Sequence, residues 1–344
     1  FSVWMRLQRQ VMLDYGDRLL TPLPPQGYPE LRAAIAEHLL QFRGLSVDPE
    51  NILIGAGTDF LYNLLIQLLG RDKGYAVEDP GYRKIRQIYA AGGVEWVSAA
   101  VDTEGVRPDS LGAAHILHCS PSHHFPTGIV TPAARRRQLL SWAAESPERY
   151  IIEDDYDSEF RFTGRPIPSL QSIDSSGKVI YINTFSKSLT STIRISYMVL
   201  PKALMELYKK ELSFYSCTVS NFEQYTLAEF IRQGYYEKHI NRMRNYYRSQ
   251  RDEIMKEISR HPLFGRVQIK EEDAGLHFLM KIDTRLTDGE LIEKGRAKGI
   301  NLACLSRYYS DKSRADAHTL IINYSGLSAD KIKKAVELLF ECIA

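Results

Sequence analysis

Residues 184–189 have the sequence Thr184-Phe185-Ser186-Lys187-Ser188-Leu189 and follow an apolar segment, residues 178–182, that predicts a β-strand. A lysine at the carboxyl end of a parallel strand lies where open α/β sheets bind their ligands. Its desolvated amine is the nucleophile that an aldehyde cofactor requires. The hydroxyls beside it and Arg194, seven residues further on, are groups that bind phosphate. The alternative is a surface lysine in a polar loop.

The chain around this stretch alternates short apolar segments with amphipathic ones, as in a mainly parallel sheet with helices on its faces. The strand candidates are residues 51–54, 74–77, 115–118, 150–153, 178–182 and 195–200. Long charged helices follow from about residue 201, one of them over about 235–260, with a late strand candidate at 274–280 and a last amphipathic helix. We therefore predict an α/β fold with an N-terminal segment (1–20), a large domain (21–205) and a small α+β C-terminal domain (206–344).

A second apolar strand candidate ends in carboxylates, Ile151-Ile152-Glu153-Asp154-Asp155-Tyr156. In an extended chain Asp154 and Tyr156 point to the same side. A carboxylate facing a pyridine nitrogen keeps that nitrogen protonated, and a phenol can hydrogen-bond a 3-hydroxyl oxygen on the same ring. The alternatives are an acidic loop, or a divalent-metal site for which phosphate or water would have to complete the ligands. That site would use Glu153, Asp154, Asp155 and Asp157.

Two further segments are weaker signals. Gly55-Ala56-Gly57-Thr58-Asp59 opens a predicted helix, where free backbone N–H groups and the helix dipole favour a phosphate, but its spacing fits neither the dinucleotide fingerprint nor a P-loop. Asp79-Pro80-Gly81-Tyr82-Arg83-Lys84 follows another strand candidate. Tyr82 there can stack on a planar ring, although a proline-glycine turn with a packed tyrosine is the plainer interpretation.

The composition excludes several classes of protein. The 344 residues are 44% hydrophobic and 25% charged, which is ordinary for a globular protein, and the net charge of +2 gives no pull toward nucleic acid or membranes. No apolar run approaches the roughly 18 residues of a membrane-spanning helix, and no signal peptide is recognisable. The cysteines lack paired spacing, so we expect buried thiols in a cytoplasmic protein. They are Cys119, Cys217, Cys304 and Cys342.

From about Gln26 onward the chain resembles the fold-type I aminotransferases. Within them it is most similar to the effector domain of MocR-type transcription regulators of the GntR superfamily, with GabR-like proteins nearest. The phrases that carry the resemblance occur in order: Q-G-Y-P-E-L-R-A-A-I-A, I-G-A-G-T, E-D-P-G-Y-R, P-S-H-H-F-P-T-G, R-R-Q-L-L-S-W-A-A, I-I-E-D-D-Y-D-S-E-F, T-F-S-K-S-L, R-I-S-Y-M-V-L-P and A-G-L-H-F.

The resemblance implies pyridoxal 5'-phosphate as cofactor, bound as a Schiff base on Lys187. It makes Asp154 the partner of the pyridine nitrogen, Tyr156 the partner of the phenolic oxygen and Tyr82 the stacking residue. The phosphate would be held by the segment Gly57, Thr58 and Asp59, by Thr184 or Ser186, and by Arg194.

Departures from the enzyme pattern concern one contact to the cofactor's phenolic oxygen and the residues that bind the substrate. Phe125 stands where these aminotransferases have an asparagine, and Ile321 stands where a late strand carries the arginine that binds a substrate carboxylate. In the regulators that this chain resembles, an arginine in a Ser-Arg-aromatic segment takes over the carboxylate, which here is Arg307. Lys84 stands where GabR-like sequences have a second arginine, and it offers a point charge rather than a rigid fork. Arg307 and Lys84 are thus the expected effector-binding residues.

The resemblance therefore implies a cofactor-dependent sensor domain that binds a small amino acid, such as GABA, taurine or D-alanine, as an external aldimine at Lys187. It also implies a homodimer, and DNA binding through a winged helix-turn-helix segment that is expected upstream of Phe1. Two alternatives stay open: a working aminotransferase, and a domain that keeps the fold only for dimerisation. The two changed positions, Phe125 and Ile321, favour a sensor with at most weak transamination.

Overall fold

A computed structural model describes residues 1–162, 168–270 and 275–343. Its helices are α1 (Ser2–Tyr15), α2 (Pro29–Arg43), α3 (Thr58–Leu69), α4 (Arg83–Ala91), α5 (Ala133–Ala144), α6 (Leu170–Ile173), α7 (Phe185–Ser188), α8 (Lys202–Glu211), α9 (Asn221–Arg232), α10 (Tyr235–Arg260), α11 (Asp288–Ala297) and α12 (Ile332–Ile343). Its strands are β1 (Ile52–Gly55), β2 (Tyr75–Asp79), β3 (Trp96–Asp102), β4 (Gly105–Val106), β5 (Ile116–Cys119), β6 (Tyr150–Asp154), β7 (Val179–Thr184), β8 (Ser196–Val199), β9 (Val267–Lys270), β10 (His277–Ile282) and β11 (Thr319–Asn323). None of the helices in the described ranges has the length and apolarity needed to cross a membrane.

The large sheet has the strand order β1-β8-β7-β6-β5-β2-β3-β4. Strands β3, β2, β5, β6 and β7 run parallel, whereas β8 is antiparallel to both β7 and β1, so β1 runs in the same direction as β7. The carboxyl ends of β1, β2, β5, β6 and β7 therefore meet at one edge of the sheet. In such folds that edge is where ligands bind.

The six early strand predictions are confirmed to within two residues at each end. The prediction at 274–280 is confirmed over β10, although Ala274 lies outside the described residues. The helices predicted over 235–260 and at the end of the chain are α10 and α12. Strand β3 was missed, because it lies near the sheet edge and its inward and outward residues do not alternate in polarity.

Three hydrophobic cores organise the chain. One joins α1, α2 and α9 to one face of the large sheet, and another packs α3, α4 and α8 on the opposite face. The third joins the later half of α10 and α12 to the three-stranded sheet β11-β10-β9. This packing places α8 and α9 on the large sheet, while the division of the chain at residues 205 and 206 stays a prediction.

Candidate functional site

A cavity of about 370 Å³ lies at the carboxyl edge of the large sheet. It contains most of the side chains that the sequence singled out. Those that line it are Thr58, Asp59, Tyr82, Lys84, Asp154, Tyr156, Thr184, Ser186, Lys187 and Arg194. They come from five separate segments of the chain, which the sheet topology brings together.

Lys187 lies on α7, a single helical turn that begins directly after β7. The hydroxyl of Thr184 caps this turn by accepting from the backbone N–H of Ser186 at 3.2 Å. The next residue, Ser188, is held from α10, where Tyr236 donates to its hydroxyl at 2.9 Å and Nε2 of His239 lies 2.8 Å from its carbonyl oxygen. Among the described residues, Nζ of Lys187 has no hydrogen-bond or ion-pair partner, so its amine is available for reaction.

Asp154 ends β6 at the floor of the cavity. Its Oδ2 accepts from the hydroxyl of Tyr62 at 2.5 Å and lies 3.7 Å from Nε2 of His118. Its Oδ1 is buried and has no hydrogen-bond partner within the described structure. An unpaired buried carboxylate oxygen costs free energy unless a ligand donates to it. The protonated nitrogen of a pyridine ring is such a donor, so this position fits the expected cofactor.

The opposite end of the cavity is suited to an anion. Helix α3 starts here with free backbone N–H groups at Thr58 and Asp59. Gly57 has φ of 90°, and a Cβ on it would lie 2.4 Å from Nη2 of Arg194. Only glycine therefore lets the arginine approach the start of the helix. The hydroxyl of Ser186 has no partner among described side chains, whereas that of Thr184 already caps α7, so Ser186 is the better phosphate donor of the two.

Asp59 joins the two cations at the mouth of the cavity. Its Oδ2 lies 2.5 Å from Nζ of Lys84 and 3.5 Å from Nη2 of Arg194. All three side chains are partly exposed, which limits the strength of these ion pairs. The carboxylate thus holds Lys84 and Arg194 close together at the end of the cavity that suits a phosphate.

The divalent-metal alternative fails because each carboxylate has a different partner. Glu153 accepts from the backbone N–H groups of Leu170 and Gln171, and Asp155 pairs with Arg43 at 3.0 Å. Asp157 pairs with His123 at 2.9 Å, while Asp154 faces the cavity. In the described part of the chain no three His, Cys, Asp or Glu side chains form a group that could hold a metal ion.

The two predicted effector residues lie in different places. Lys84 lines the cavity, whereas Arg307 is exposed and is not part of the cavity wall. The neighbour of Arg307, Tyr308, is anchored because its carbonyl oxygen accepts from Arg86 at 2.7 Å and from the backbone of Gly81 at 3.2 Å. Arg307 therefore stands beside the site, and its contact with a carboxylate stays a prediction.

The walls near this region are aromatic. The Phe125 ring meets those of Tyr82, Tyr308 and His277 edge-on, with centroids 5.8, 5.3 and 5.3 Å apart. Ile321, on β11, is buried against Leu279 and Leu305. An amide at position 125 and an arginine at 321 are both replaced by apolar packing, as the departures from the enzyme pattern imply.

Sequence reasoning missed several residues of the site, notably Tyr62 and His118. Tyr62 belongs to the apolar stripe of α3 and His118 to an otherwise apolar strand, so the sequence pattern predicts a core residue at both positions. One signal was available for Tyr62, because it follows Thr58 by four residues and so lies on the same face of α3. Burial raises the pKa of Tyr62 well above its ordinary value, and Asp154 raises it further, so the phenol stays a donor.

Comparisons with known proteins agree with this geometry. The family model described as "Aminotransferase class I and II" matches residues 2–339. The fold matches a kynurenine aminotransferase from Pyrococcus horikoshii, solved in complex with PMP, with a TM-score of 0.86 and 24% identity over 99% of this chain and 86% of that one. The chain belongs to the class I and II aminotransferase family, with fold type I and with pyridoxal 5'-phosphate as the cofactor.

Its relatives narrow the class to transcription regulators of the MocR type. The chain is 39% identical to the uncharacterised HTH-type transcriptional regulator YdeL of Bacillus subtilis, over 98% of this chain and 73% of that protein. It is 30% identical to the probable rhizopine catabolism regulatory protein MocR of Rhizobium meliloti, over 98% of this chain and 69% of that protein. Within the aminotransferase family it groups with these HTH-type regulators.

Proposed function

We propose that the chain is the effector-sensing domain of a transcription regulator, in which pyridoxal phosphate is held on Lys187 and an amino compound is recognised at the same place. The observation that carries this proposal is that the chain keeps the lysine and the carboxylate of the cofactor site but lacks two side chains of the enzyme pattern, an asparagine that contacts the phenolic oxygen and an arginine that binds the substrate carboxylate. Asp154 and Lys187 face one cavity, whereas positions 125 and 321 hold Phe and Ile. The similarity to HTH-type regulators supports the same conclusion.

Each proposed cofactor contact follows from the cavity. Asp154 would accept a hydrogen bond from the protonated ring nitrogen, and Tyr156 would donate one to the phenolic oxygen. Tyr82 would stack on the ring face from its partly exposed position at the mouth of the cavity. The phosphate would lie between the start of α3, at Gly57, Thr58 and Asp59, and the side chains of Ser186 and Arg194.

When bound, pyridoxal phosphate supplies an aldehyde carbon that condenses with a primary amine. Lys187 provides that amine in the resting protein, and the amine of an effector takes its place. Arg307 or Lys84 would bind the acidic group of the effector, since Lys84 lines the cavity and the residue after Arg307, Tyr308, packs against Phe125 of the cavity wall. A small amino acid such as GABA, taurine or D-alanine carries the required amine and acidic group.

Turnover requires more than this exchange. The freed lysine must move a proton while the reacting bond stays aligned with the ring, and a misplacement near 1 Å can cost on the order of 10²-fold in rate. The aromatic side chain of Phe125 offers no hydrogen bond to fix the ring, and Ile321 offers no carboxylate clamp. The domain therefore still binds the effector but does not transaminate it efficiently. The free energy of effector binding shifts a conformational equilibrium of the domain instead.

The test is a panel of small L- and D-amino acids mixed with the cofactor-loaded protein, followed by stopped-flow absorbance and by a steady-state assay with a keto acid. We expect a saturable spectral change without sustained product formation. Multiple turnover at ordinary enzyme rates, about 1 to 10³ per second, would establish an aminotransferase in place of the sensor.

We also propose that the domain acts as a homodimer in the cytoplasm and reaches DNA through a helix-turn-helix segment outside this chain. Several large apolar side chains are exposed on α1, in the short 3-10 helix after it and in the segment after α8, which supports a self-association surface. They are Leu13, Leu20, Phe214 and Tyr215. The segment carrying the last two borders the phosphate end, because the hydroxyl of Thr218 accepts from the backbone N–H of Ala56 at 3.0 Å.

Sedimentation equilibrium tests this part of the proposal. The parent should be dimeric, and Phe214→Asp should shift it toward monomer, because a charge would replace an apolar contact. The matched control is Phe264→Asp, at a partly exposed phenylalanine in the C-terminal part of the chain, far in sequence from this surface. A monomeric parent would remove the dimer from the proposal.

A further inference from the structure

His123 lies behind Tyr156, on the side away from the centre of the cavity. Its Nδ1 is 2.9 and 3.1 Å from the two carboxylate oxygens of Asp157, and 3.1 Å from the hydroxyl oxygen of Tyr156. Among the described residues, this nitrogen is the only hydrogen-bond partner of the Tyr156 hydroxyl. One ring nitrogen therefore contacts two groups, the carboxylate of Asp157 and the phenol of Tyr156.

The position of the hydrogen atoms follows from this arrangement. An ionised carboxylate only accepts hydrogen bonds, so Nδ1 of His123 must carry the hydrogen that faces Asp157. The same N–H then points between Asp157 and Tyr156, and the phenol oxygen accepts from it. Nδ1 has no lone pair left to accept the proton of Tyr156, so that proton is directed to another acceptor.

We propose that His123 is a positioning residue that turns the hydroxyl proton of Tyr156 into the cavity, where it donates to the phenolic oxygen of the bound cofactor. The inference rests on the proposed function, because it assigns a direction to the proton of a proposed cofactor contact. Tyr156 lines the cavity, so an acceptor bound there is within its reach. His123 itself touches no reacting atom.

The histidine ring is fixed from its other side by the C-terminal part of the chain. A Cβ on Gly275 would lie 1.9 Å from Cε1 of His123, so only glycine allows this approach. His277 packs with its ring centroid 5.0 Å away, and its Nε2 lies 3.1 Å from the carbonyl oxygen of Pro126. The ring is thus held between the loop after β6 and the segment that leads into β10.

This arrangement explains how the site works without an amide at position 125. In the aminotransferases that the chain resembles, an asparagine and a tyrosine both contact the phenolic oxygen, whereas Phe125 offers no hydrogen bond, so Tyr156 would be the one donor to that oxygen among the proposed contacts of the described residues. Burial raises the pKa of Tyr156 well above its ordinary value, and Asp157 and Asp154 raise it further, so the phenol keeps its proton. When one hydroxyl is the single donor to an oxygen, the strength of that hydrogen bond depends most on the hydroxyl being held in the right orientation.

The first experiment tests the hydrogen position without cofactor. Long-range ¹H–¹⁵N spectra of cofactor-free protein, labelled at histidine, report which ring nitrogen is protonated, and the H123Q variant assigns the signal. We expect a proton on Nδ1 of His123. A signal showing Nδ1 unprotonated would overturn the inference, whether or not the protein binds pyridoxal phosphate.

The second experiment follows the visible absorbance of the cofactor-loaded protein against pH. Donation by Tyr156 favours the deprotonated cofactor, so weaker donation raises the midpoint of the transition. The titratable and charged groups around His123 are Asp157, Tyr156, His124, His277, Arg43 and Arg161, and the variants at positions 123 and 275 leave all of them unchanged. The midpoint therefore reports on His123 itself.

We expect H123F to raise the midpoint by about one pH unit and Y156F to raise it by at least as much. H123Q, which keeps a side-chain N–H donor, should stay within about 0.3 units of the parent, since that donor replaces the lost N–H. G275A should behave like H123F because it displaces the ring.

Equal midpoints in H123F and the parent, beside a raised midpoint in Y156F, would disprove the role of His123. Failure of every variant and the parent to take up cofactor would instead disprove the proposed function.

Discussion

The hydroxyl of Tyr62 donates to Oδ2 of Asp154 at 2.5 Å, on the floor of the cavity. The bond joins a residue that the sequence singled out to one that it did not. Because Oδ2 is engaged from α3, the carboxyl group is held with Oδ1 toward the cavity and without a partner in the described structure. The orientation of the proposed ring contact thus depends on Tyr62, a cavity residue that the sequence did not single out.

Tyr62→Phe should weaken the binding of pyridoxal phosphate about tenfold. The variant removes a hydrogen bond to a charged group, which is worth roughly 1.5 kcal/mol, and it frees the carboxyl group to rotate. Titration of cofactor-free protein, followed by absorbance, measures the change in Kd. Tyr75→Phe is the matched control, because Tyr75 is equally buried in the same core but bonds only the backbone of Gly70. Equal losses of cofactor affinity in Tyr62→Phe and Tyr75→Phe would point to a general packing defect.

Lys187→Ala should abolish covalent attachment of the cofactor. Borohydride reduction followed by peptide mass spectrometry should locate the adduct on residue 187 in the parent and find none in the variant. Lys202→Ala, at the start of α8 and outside the cavity, should leave the adduct unchanged. An adduct that persists in Lys187→Ala would mean that a different lysine reacts.

Arg307→Ala should weaken effector binding at least tenfold while cofactor content stays normal. The loss corresponds to about 1.4 kcal/mol, less than for a buried ion pair, because Arg307 is exposed. Isothermal titration of the cofactor-loaded protein gives the affinity. Arg314→Ala is the matched control at another exposed arginine of the same region. A loss confined to Lys84→Ala would assign the acidic group of the effector to Lys84.

His38 should make the protein less stable in acid. Burial lowers the pKa of His38 to about 4, below the 6.5 of an exposed histidine. Between these values the unfolded chain binds a proton that the folded chain does not, so the free energy of unfolding falls as pH drops from 6.5 toward about 4. The loss is at most ~3 kcal/mol. Urea unfolding at pH 7.5 and 5 should show a smaller decrease for His38→Gln than for the parent, and identical decreases would contradict the assignment.

The sequence predicted the fold and the cofactor side of the site for a physical reason. Strands buried on both faces appear as short apolar runs, and the residues just past them are forced to one edge of a parallel sheet. Lys187, Asp154, Tyr82 and Thr58 all follow such strands, so their meeting in one cavity could be inferred from order alone. The sheet registers supply the detail, with Asp154 opposite Ile182 just before the lysine segment.

The remaining features depend on contacts between distant segments. The bond between His123 and Asp157 spans 34 residues, and the close approach of Gly275 to His123 spans 152. Neither leaves a periodic pattern in the sequence. Similarly, the exposure of Arg307 depends on how the segment around Tyr308 docks onto Gly81, a contact that composition and spacing do not encode.

Helix α10 connects the segment that carries Lys187 to the C-terminal core. It runs for 26 residues, about 39 Å at 1.5 Å per residue, and its sequence contains neither glycine nor proline. At one end Tyr236 and His239 hold Ser188, the residue after Lys187, and the other end buries Ile254 and Ile258 in the C-terminal core. A rod without a hinge cannot tilt at one end alone. A movement of the C-terminal sheet that displaces α10 as a rigid body would therefore also move the segment that carries Lys187.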